Sequence, residues 1–218
     1  MEYLYKTVLK RDRTEITIEK SRFITTIIPC ETREEAESFF SDIRLEFKDA
    51  THNVPAFVLG NKMELKWASD DGEPQGTSGP PILKVMESKG LTNLALVVTR
   101  YFGGTKLGTG GLVRAYSKSA EQAIFEAGIA GAAVFRKEMI HLDYSDYNKF
   151  LSYKFPQEMR DSMILGTPDF REDVALEISC HKDILENVSG IIRDISNGKT
   201  VMGKGQEILT RFALTMEQ

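Results

Sequence analysis

Two cysteines in 218 residues, Cys30 and Cys180, leave no material for a disulfide framework, and neither sits in a Cys-x-x-Cys or Cys/His spacing that would build a structural zinc site. Long apolar runs are also missing. No uncharged hydrophobic stretch approaches the roughly 18 residues of a membrane span. The N-terminal Met-Glu-Tyr-Leu-Tyr-Lys has no apolar core of the kind a secretory signal carries. These absences point to a cytoplasmic protein with no membrane partner. A surplus of positive charge is lacking too, since 28 Lys and Arg stand against 32 Asp and Glu, for a net charge of −4. That balance excludes a surface given over wholly to nucleic acid, because such domains are basic overall, but leaves room for a local basic patch.

What is present suits a folded α+β protein. Hydrophobic residues make up 41% of the chain, enough for a core in one large or two small domains. Ile16 and Ile18 alternate with polar neighbours, and Phe23 to Ile28 is a β-rich run ended by Pro29. Thr32 and Glu35 form a capping-box pair before Ala36, Phe39, Phe40, Ile43 and Phe47, which share a helical face. Val54 to Leu59 and Met63 to Ala68 read as strands around a turn at Gly60-Asn61. A loop through Pro81, a short helix over 83–87 and a buried strand over 94–98 follow. A helix from about Gly111 turns Leu112, Tyr116, Ala120, Ala123, Ile124 and Ala127 inward and ends at Gly128.

Ala130 to Lys137 reads as a connector, so the expected domains are 1–132 and 133–218. In the second, Ile140, Leu142 and Tyr144 alternate as a strand, and Tyr147, Phe150 and Leu151 mark a helix. A short strand at 163–165 comes next, then strict alternation from Val174 to Cys180, a helical stripe from Ile184 to Ile195 closed by Asn197-Gly198, and a last strand through Phe212. The order βαββαβ is ferredoxin-like.

The densest chemical signal lies between Arg100 and Tyr116, where five glycines fall within the nine positions from Gly103 to Gly111. A strand, a flexible turn and a helix N-terminus together present unpaired N–H groups to an anion. Both standard nucleotide fingerprints fail: Lys106 is followed by Leu107 and Gly108 rather than Ser or Thr, and Val113 stands where a dinucleotide motif needs its third glycine. A tight strand-to-helix turn is the alternative reason for the glycines. From Thr77 to Ala120 six Lys and Arg face a single acid, Glu87, and Tyr101, Phe102 and Tyr116 offer stacking surfaces beside them. Arg100 and Arg114 flank the turn.

A second cluster, Asp70-Asp71-Gly72-Glu73, offers three carboxylates for a hard cation or for acid–base work, without calcium-loop spacing. Turn building or ion pairing to Arg100 or Arg114 is the other explanation. The histidines His52, His141 and His181 are scattered, and the last two suit surface or capping roles. His52 beside Thr77 or Ser78 is the one arrangement with a nucleophile to offer, and nothing in the spacing demands it.

Ser-Arg-Phe-Ile at 21–24, Asp-Ala-Thr-His at 49–52, Ser69 through Gly79, and Arg100 through Tyr116 together resemble the IMPACT family, also called the YigZ family, in its bacterial two-domain form. The resemblance implies an N-terminal domain like the second domain of the fifth small-subunit ribosomal protein and a C-terminal domain similar to domain V of elongation factor G. It also implies a role near translation, since eukaryotic relatives regulate translation in amino-acid starvation. One departure stands out: many bacterial members carry His-His-Cys where this chain has His52-Asn53-Val54.

The binding positions implied are His52; Asp70, Asp71, Gly72, Glu73, Pro74, Gly76, Thr77 and Gly79; and Arg100, Tyr101, Gly103, Gly104, Lys106, Leu107, Gly108, Gly110, Gly111, Arg114 and Tyr116. Two readings stay open. The first is a non-enzymatic binder of RNA, the ribosome or a translation-associated protein, with no cofactor, no metal and no catalytic residue. The alternative is an enzyme or sensor for a phosphorylated small ligand, with Gly108, Gly110 and Gly111 on the phosphate and Asp70, Asp71 or Glu73 placing a metal.

Overall fold

The computed structural model describes residues 2–203 and 205–214. These fall into two compact units, chiefly Leu4–Gly131 and Ala132–Phe212. The first contains β1 (Tyr5–Val8), β2 (Asp12–Ile18), β3 (Ser21–Pro29), α1 (Arg33–Glu46), β4 (His52–Leu59), β5 (Leu65–Ala68), α2 (Gly79–Ser88), β6 (Leu94–Tyr101) and α3 (Gly108–Ala127). Its antiparallel sheet runs β2-β3-β6-β4-β5.

Alternation in the two inner strands dictates the layers, because successive side chains point to opposite faces. Val54, Ala56, Val58, Leu94, Leu96 and Val98 join Phe23, Ile82, Met86 and Tyr116 in the core under α2 and α3. Phe57, Leu59, Ala95 and Val97 pack instead with Ala36, Phe39 and Ile43 of α1. On the α1 side, Trp67 stacks on Phe40 and Phe57 at 5.9 and 5.8 Å between ring centroids, yet keeps 42% of its surface exposed.

Thr32 caps α1 by accepting a hydrogen bond from the Glu35 N–H, as its spacing predicts, but the return arm differs. The Glu35 carboxylate accepts from the Glu31 N–H, one residue before the cap. Two helices begin earlier than the sequence indicates. α2 opens on Gly79-Pro80-Pro81, because prolines in a first turn lose only N–H groups that would lack partners anyway. α3 starts at Gly108, so Gly108 to Gly111 form its first turn rather than a loop.

The second unit holds most of β7 (Ile129–Leu142), α4 (Tyr144–Ser152), α5 (Gln157–Arg160), β8 (Met163–Leu165), β9 (Asp169–Phe170), β10 (Val174–His181), α6 (Leu185–Ile195) and β11 (Gln206–Ala213). Its strands run β11-β7-β10-β8, the ferredoxin-like arrangement with the first and third strands central, and β9 adds to β10. Ile140, Leu142, Leu176, Ile178 and Cys180 make its core with Tyr147, Phe150, Val188 and Ile192.

Two expectations are corrected here. The expected connector Ala130 to Lys137 is part of the long strand β7, its small residues buried, and Tyr144 opens α4 after Asp143 accepts the Asp146 N–H as cap. His141 is exposed beside Asp173, and buried His181 accepts from the Asp183 N–H at a 3₁₀ turn. Both cysteines are buried and unpaired, and desolvation raises each thiol to about 11.

Candidate functional site

Arg100 continues the alternation of Leu94, Leu96 and Val98, so the sheet turns it toward α3. Its cross-strand neighbours are Phe23 on one side and His52 on the other. The guanidinium lies between the rings of Phe23 and Phe102, 5.4 and 5.6 Å from their centroids. Nη1 donates to Glu73 at 2.6 Å and Nη2 donates to the Ser21 hydroxyl at 3.2 Å. The two side chains of this ion pair are only 6% and 3% exposed, so Arg100 is spent inside the fold and does not flank the turn as a free cation.

Glu73 collects the rest of the site. Its Oε1 accepts from the Tyr116 hydroxyl at 2.7 Å and lies 3.8 Å from His52 Nε2. Burial first, and then the Glu73 charge, push the Tyr116 phenol far above its ordinary value, so it acts as a fixed donor. His52 Nδ1 lies 2.7 Å from the carbonyl oxygen of Asp71, which can only accept, so this nitrogen donates and the ring is held with Nε2 toward Glu73.

The loop delivering Glu73 is organised by the other two carboxylates. Asp70 accepts from the N–H groups of Gly76, Ser78 and Gly79 and from the Ser78 hydroxyl. Burial alone would raise this carboxyl, but the hydrogen bonds from Gly76, Ser78 and Gly79 outweigh it and hold Asp70 below its ordinary value. Asp71 accepts from the Asn53 N–H at 2.6 Å and from Arg44 at 3.1 Å. Thr77 donates its hydroxyl to the Pro74 carbonyl. The hydroxyl protons of Thr77 and Ser78 are thus committed away from His52, which removes the nucleophile arrangement. Among the described residues no three His, Cys, Asp or Glu side chains group as metal ligands, and the three carboxylates diverge to separate partners.

The glycines divide by what holds them. Gly103 is pressed against the β2–β3 turn, where a Cβ would lie 2.0 Å from the Lys20 carbonyl oxygen. Gly104 and Gly108 sit at φ +85° and +68°, the left-handed region that glycine enters without penalty. Gly110 differs: its φ is ordinary for a helix, and a Cβ there would meet only the mobile tip of Arg114, at 3.6 Å.

Leu107 occupies the N-cap position of α3 and offers no side-chain cap. Beside that first turn lies a groove of about 470 Å³ lined by Glu19, Lys106, Gly111, Arg114 and Lys118, together with Ile18, Leu107 and Ala115. Phe102 is 47% exposed, whereas Tyr101 donates its hydroxyl to Asp49 beneath the Arg22 guanidinium.

The structure therefore gathers the expected positions into two neighbouring groups. Glu73, Arg100 and Tyr116 form a buried polar knot with half-buried His52 at its edge and exposed Gly72 over the His52 ring, and it ties the acidic loop to β6 and α3. Lys106, Leu107, Gly108, Gly110, Gly111 and Arg114 form the open, basic part. Pro74, Gly76, Thr77 and Gly79 serve the loop itself. Sequence reading missed Ser21, Asn53 and Glu19. Ser21 lies in a quoted motif, and Lys118, one turn beyond Arg114, was visible in the charge count but not joined to the site.

The Impact N-terminal domain model matches residues 19–124, a span that includes both groups. A Bacillus subtilis protein, IMPACT family member YvyE, is 36% identical over 207 residues, covering 94% of this chain and 93% of that protein. IMPACT family member YigZ of Escherichia coli is 44% identical over 110 residues, covering 49% of this chain and 53% of that protein. A crystal structure described as a hypothetical protein aligns over 100% of both chains with a TM-score of 0.58 and 27% identity. A weaker likeness, with a TM-score of 0.35 and 19% identity over 58% of this chain and 48% of the other, is to a structure described as the two-domain translational regulator Yih1.

Proposed function

This chain belongs to the IMPACT family, and from that premise we propose that it is a non-enzymatic regulator of translation that binds RNA, free or on the ribosome, through the basic turn at the start of α3. One observation carries the reading: Lys106, Arg114 and Lys118 line a single groove beside an uncapped helix N-terminus, with Glu19 as its only acid. Such a groove pairs fixed cations and free backbone donors with phosphate oxygens, while exposed Phe102 gives a base a ring to stack on. The buried knot supports a scaffold role rather than catalysis. Glu73 already accepts from Arg100 and Tyr116, and the Thr77 and Ser78 hydroxyls donate to the Pro74 carbonyl and Asp70 rather than to His52.

The test is a titration with ribosomal RNA across a range of salt. Each phosphate contact contributes roughly 0.7 to the slope of log affinity against log salt for a single strand, so removing three cations should flatten it by about 2. The triple variant Lys106→Ala, Arg114→Ala, Lys118→Ala should also bind at least tenfold more weakly at low salt. A salt-independent affinity, or a triple variant that binds as the parent does, would sink the reading.

A second reading, a phosphorylated small ligand, is favoured by Gly110 alone, whose bare backbone admits a terminal phosphate to the helix end. Thermal stabilisation by a phosphometabolite, without any by RNA, would establish it in place of the first.

A further inference from the structure

The second unit carries a cavity of about 730 Å³ where the end of α4 meets the following loop and β8. That volume lies within the range of small-molecule pockets, roughly 300–1,000 Å³. Three aromatic rings form one wall. Phe150 and Phe155 meet edge to face at 5.3 Å, and Tyr153 and Phe155 do so at 4.8 Å, with Tyr153 still 43% exposed. Met163 and Leu165 supply an apolar floor.

The charged part is of one sign. Lys154 and Arg160 both line the cavity, no carboxylate does, and neither cation is ion-paired among the described residues. The Arg160 guanidinium donates only to the Gln157 side-chain oxygen among the described residues. In a chain with 32 acidic residues and a net charge of −4, an aromatic cavity whose charged lining residues are both cations is complementary to a flat, aromatic anion.

From this juxtaposition we propose that the cavity binds a nucleoside monophosphate unit, with its base against Tyr153 and Phe155 and its phosphate on Lys154 and Arg160. Rings stack on any base, and two point charges satisfy one phosphate, so the shared chemistry covers a free nucleotide and a nucleotide within single-stranded RNA. The proposal does not depend on the α3 groove.

Methyl NMR of the full chain labelled at methionine tests it, with Met163 as the reporter in the cavity and Met86, buried in the other unit's core, as the control. AMP should shift the Met163 methyl saturably and leave Met86 unmoved. Adenosine and ribose 5-phosphate should each bind at least tenfold more weakly, since each lacks half the recognition.

Tyr153→Ala should weaken AMP about tenfold, the loss of one stacking platform. Arg160→Ala, at an exposed position where folding is not at stake, should weaken AMP while sparing adenosine. A 5′-phosphorylated hexa-adenylate that saturates the shift at a tenth of the AMP concentration assigns the site to RNA. Equal or weaker binding of the oligomer assigns it to the free nucleotide.

The triple variant at Lys106, Arg114 and Lys118 should respond at Met163 like the parent, which keeps failure of this site separate from failure of the α3 groove. No Met163 shift with either probe, a shift indifferent to both Tyr153→Ala and Arg160→Ala, or saturation by decanoate but not by AMP would overturn the proposal.

Discussion

At Arg100 a single side chain decides whether the acidic loop closes on the sheet. Its charge is buried with that of Glu73, so removing one partner strands the other. Arg100→Met should therefore cost about 3–5 kcal/mol in urea unfolding. The double variant Arg100→Met, Glu73→Leu should be markedly less destabilised than the sum of the single changes, since the stranded charge is gone as well. A strictly additive pair would mean that the two groups do not act together.

Asp70 is tested by pH. Its folded-state pKa is depressed, so its stabilising effect is complete above the ordinary carboxylate value of about 4 and fades as pH falls through that value and below. The stability gap between the parent and Asp70→Asn should accordingly be widest near neutral pH and narrow steadily below about pH 4. A gap that stays constant down to pH 3 would contradict it.

This is also the scale at which the sequence is least legible. The strand over 94–98 was seen, but the same alternation continued to Arg100 assigns it to the inside beside Phe23 and Tyr116. Density of charge drew it to the surface instead. The pairing of an acidic-loop residue with Arg100 was among the alternatives at hand, but Glu73 could not be chosen over its neighbours, because loop carboxylates follow no period.

Elements were more legible, since periodicity and caps are local properties of the chain. The α1 cap, both strands of the β4–β5 hairpin and the inward face of α3 appear where their patterns put them. Two of the errors fall at helix starts rich in Gly and Pro, where composition signals a loop while the backbone already turns, and the others at the small-residue start of β7 and at Tyr144. α3 turns this into an experiment. Gly103→Ala forces a Cβ onto the Lys20 carbonyl and should destabilise by about 1–3 kcal/mol. Gly110→Ala meets no backbone and should stabilise the helix by up to about 1 kcal/mol in thermal unfolding. If RNA phosphates approach that bare turn, the more stable Gly110→Ala variant should also be the weaker RNA binder. At the other helix, Thr32→Ala should cost about 1 kcal/mol, the usual worth of an N-cap.

For the molecule as a whole, alternation and turn residues account for most of the order of strands and helices in each unit, but not for β1 or the first half of β7. The ferredoxin-like order of the second is legible in its periodicity alone. What composition could not convey is where the charges go. A net charge of −4 hides a groove whose cations outnumber its acids three to one, because pairs such as Arg100 with Glu73 are cancelled internally while Lys106, Arg114 and Lys118 are not. The chain should thus behave as an acidic protein on an anion exchanger near neutral pH and still be retained by immobilised heparin. The triple cation variant should elute from heparin at lower salt, and an unchanged elution would place the retention elsewhere.

Trp67 is the only tryptophan in the chain, and it lies in the first unit, stacked on Phe40 and Phe57 with part of its ring in water. Its emission is therefore a signal from one half of the protein alone, sensitive to the seating of α1 on the sheet and silent about the ferredoxin-like half. Set beside far-ultraviolet circular dichroism, which registers every helix, the same melt would tell whether the two units come apart together or in turn.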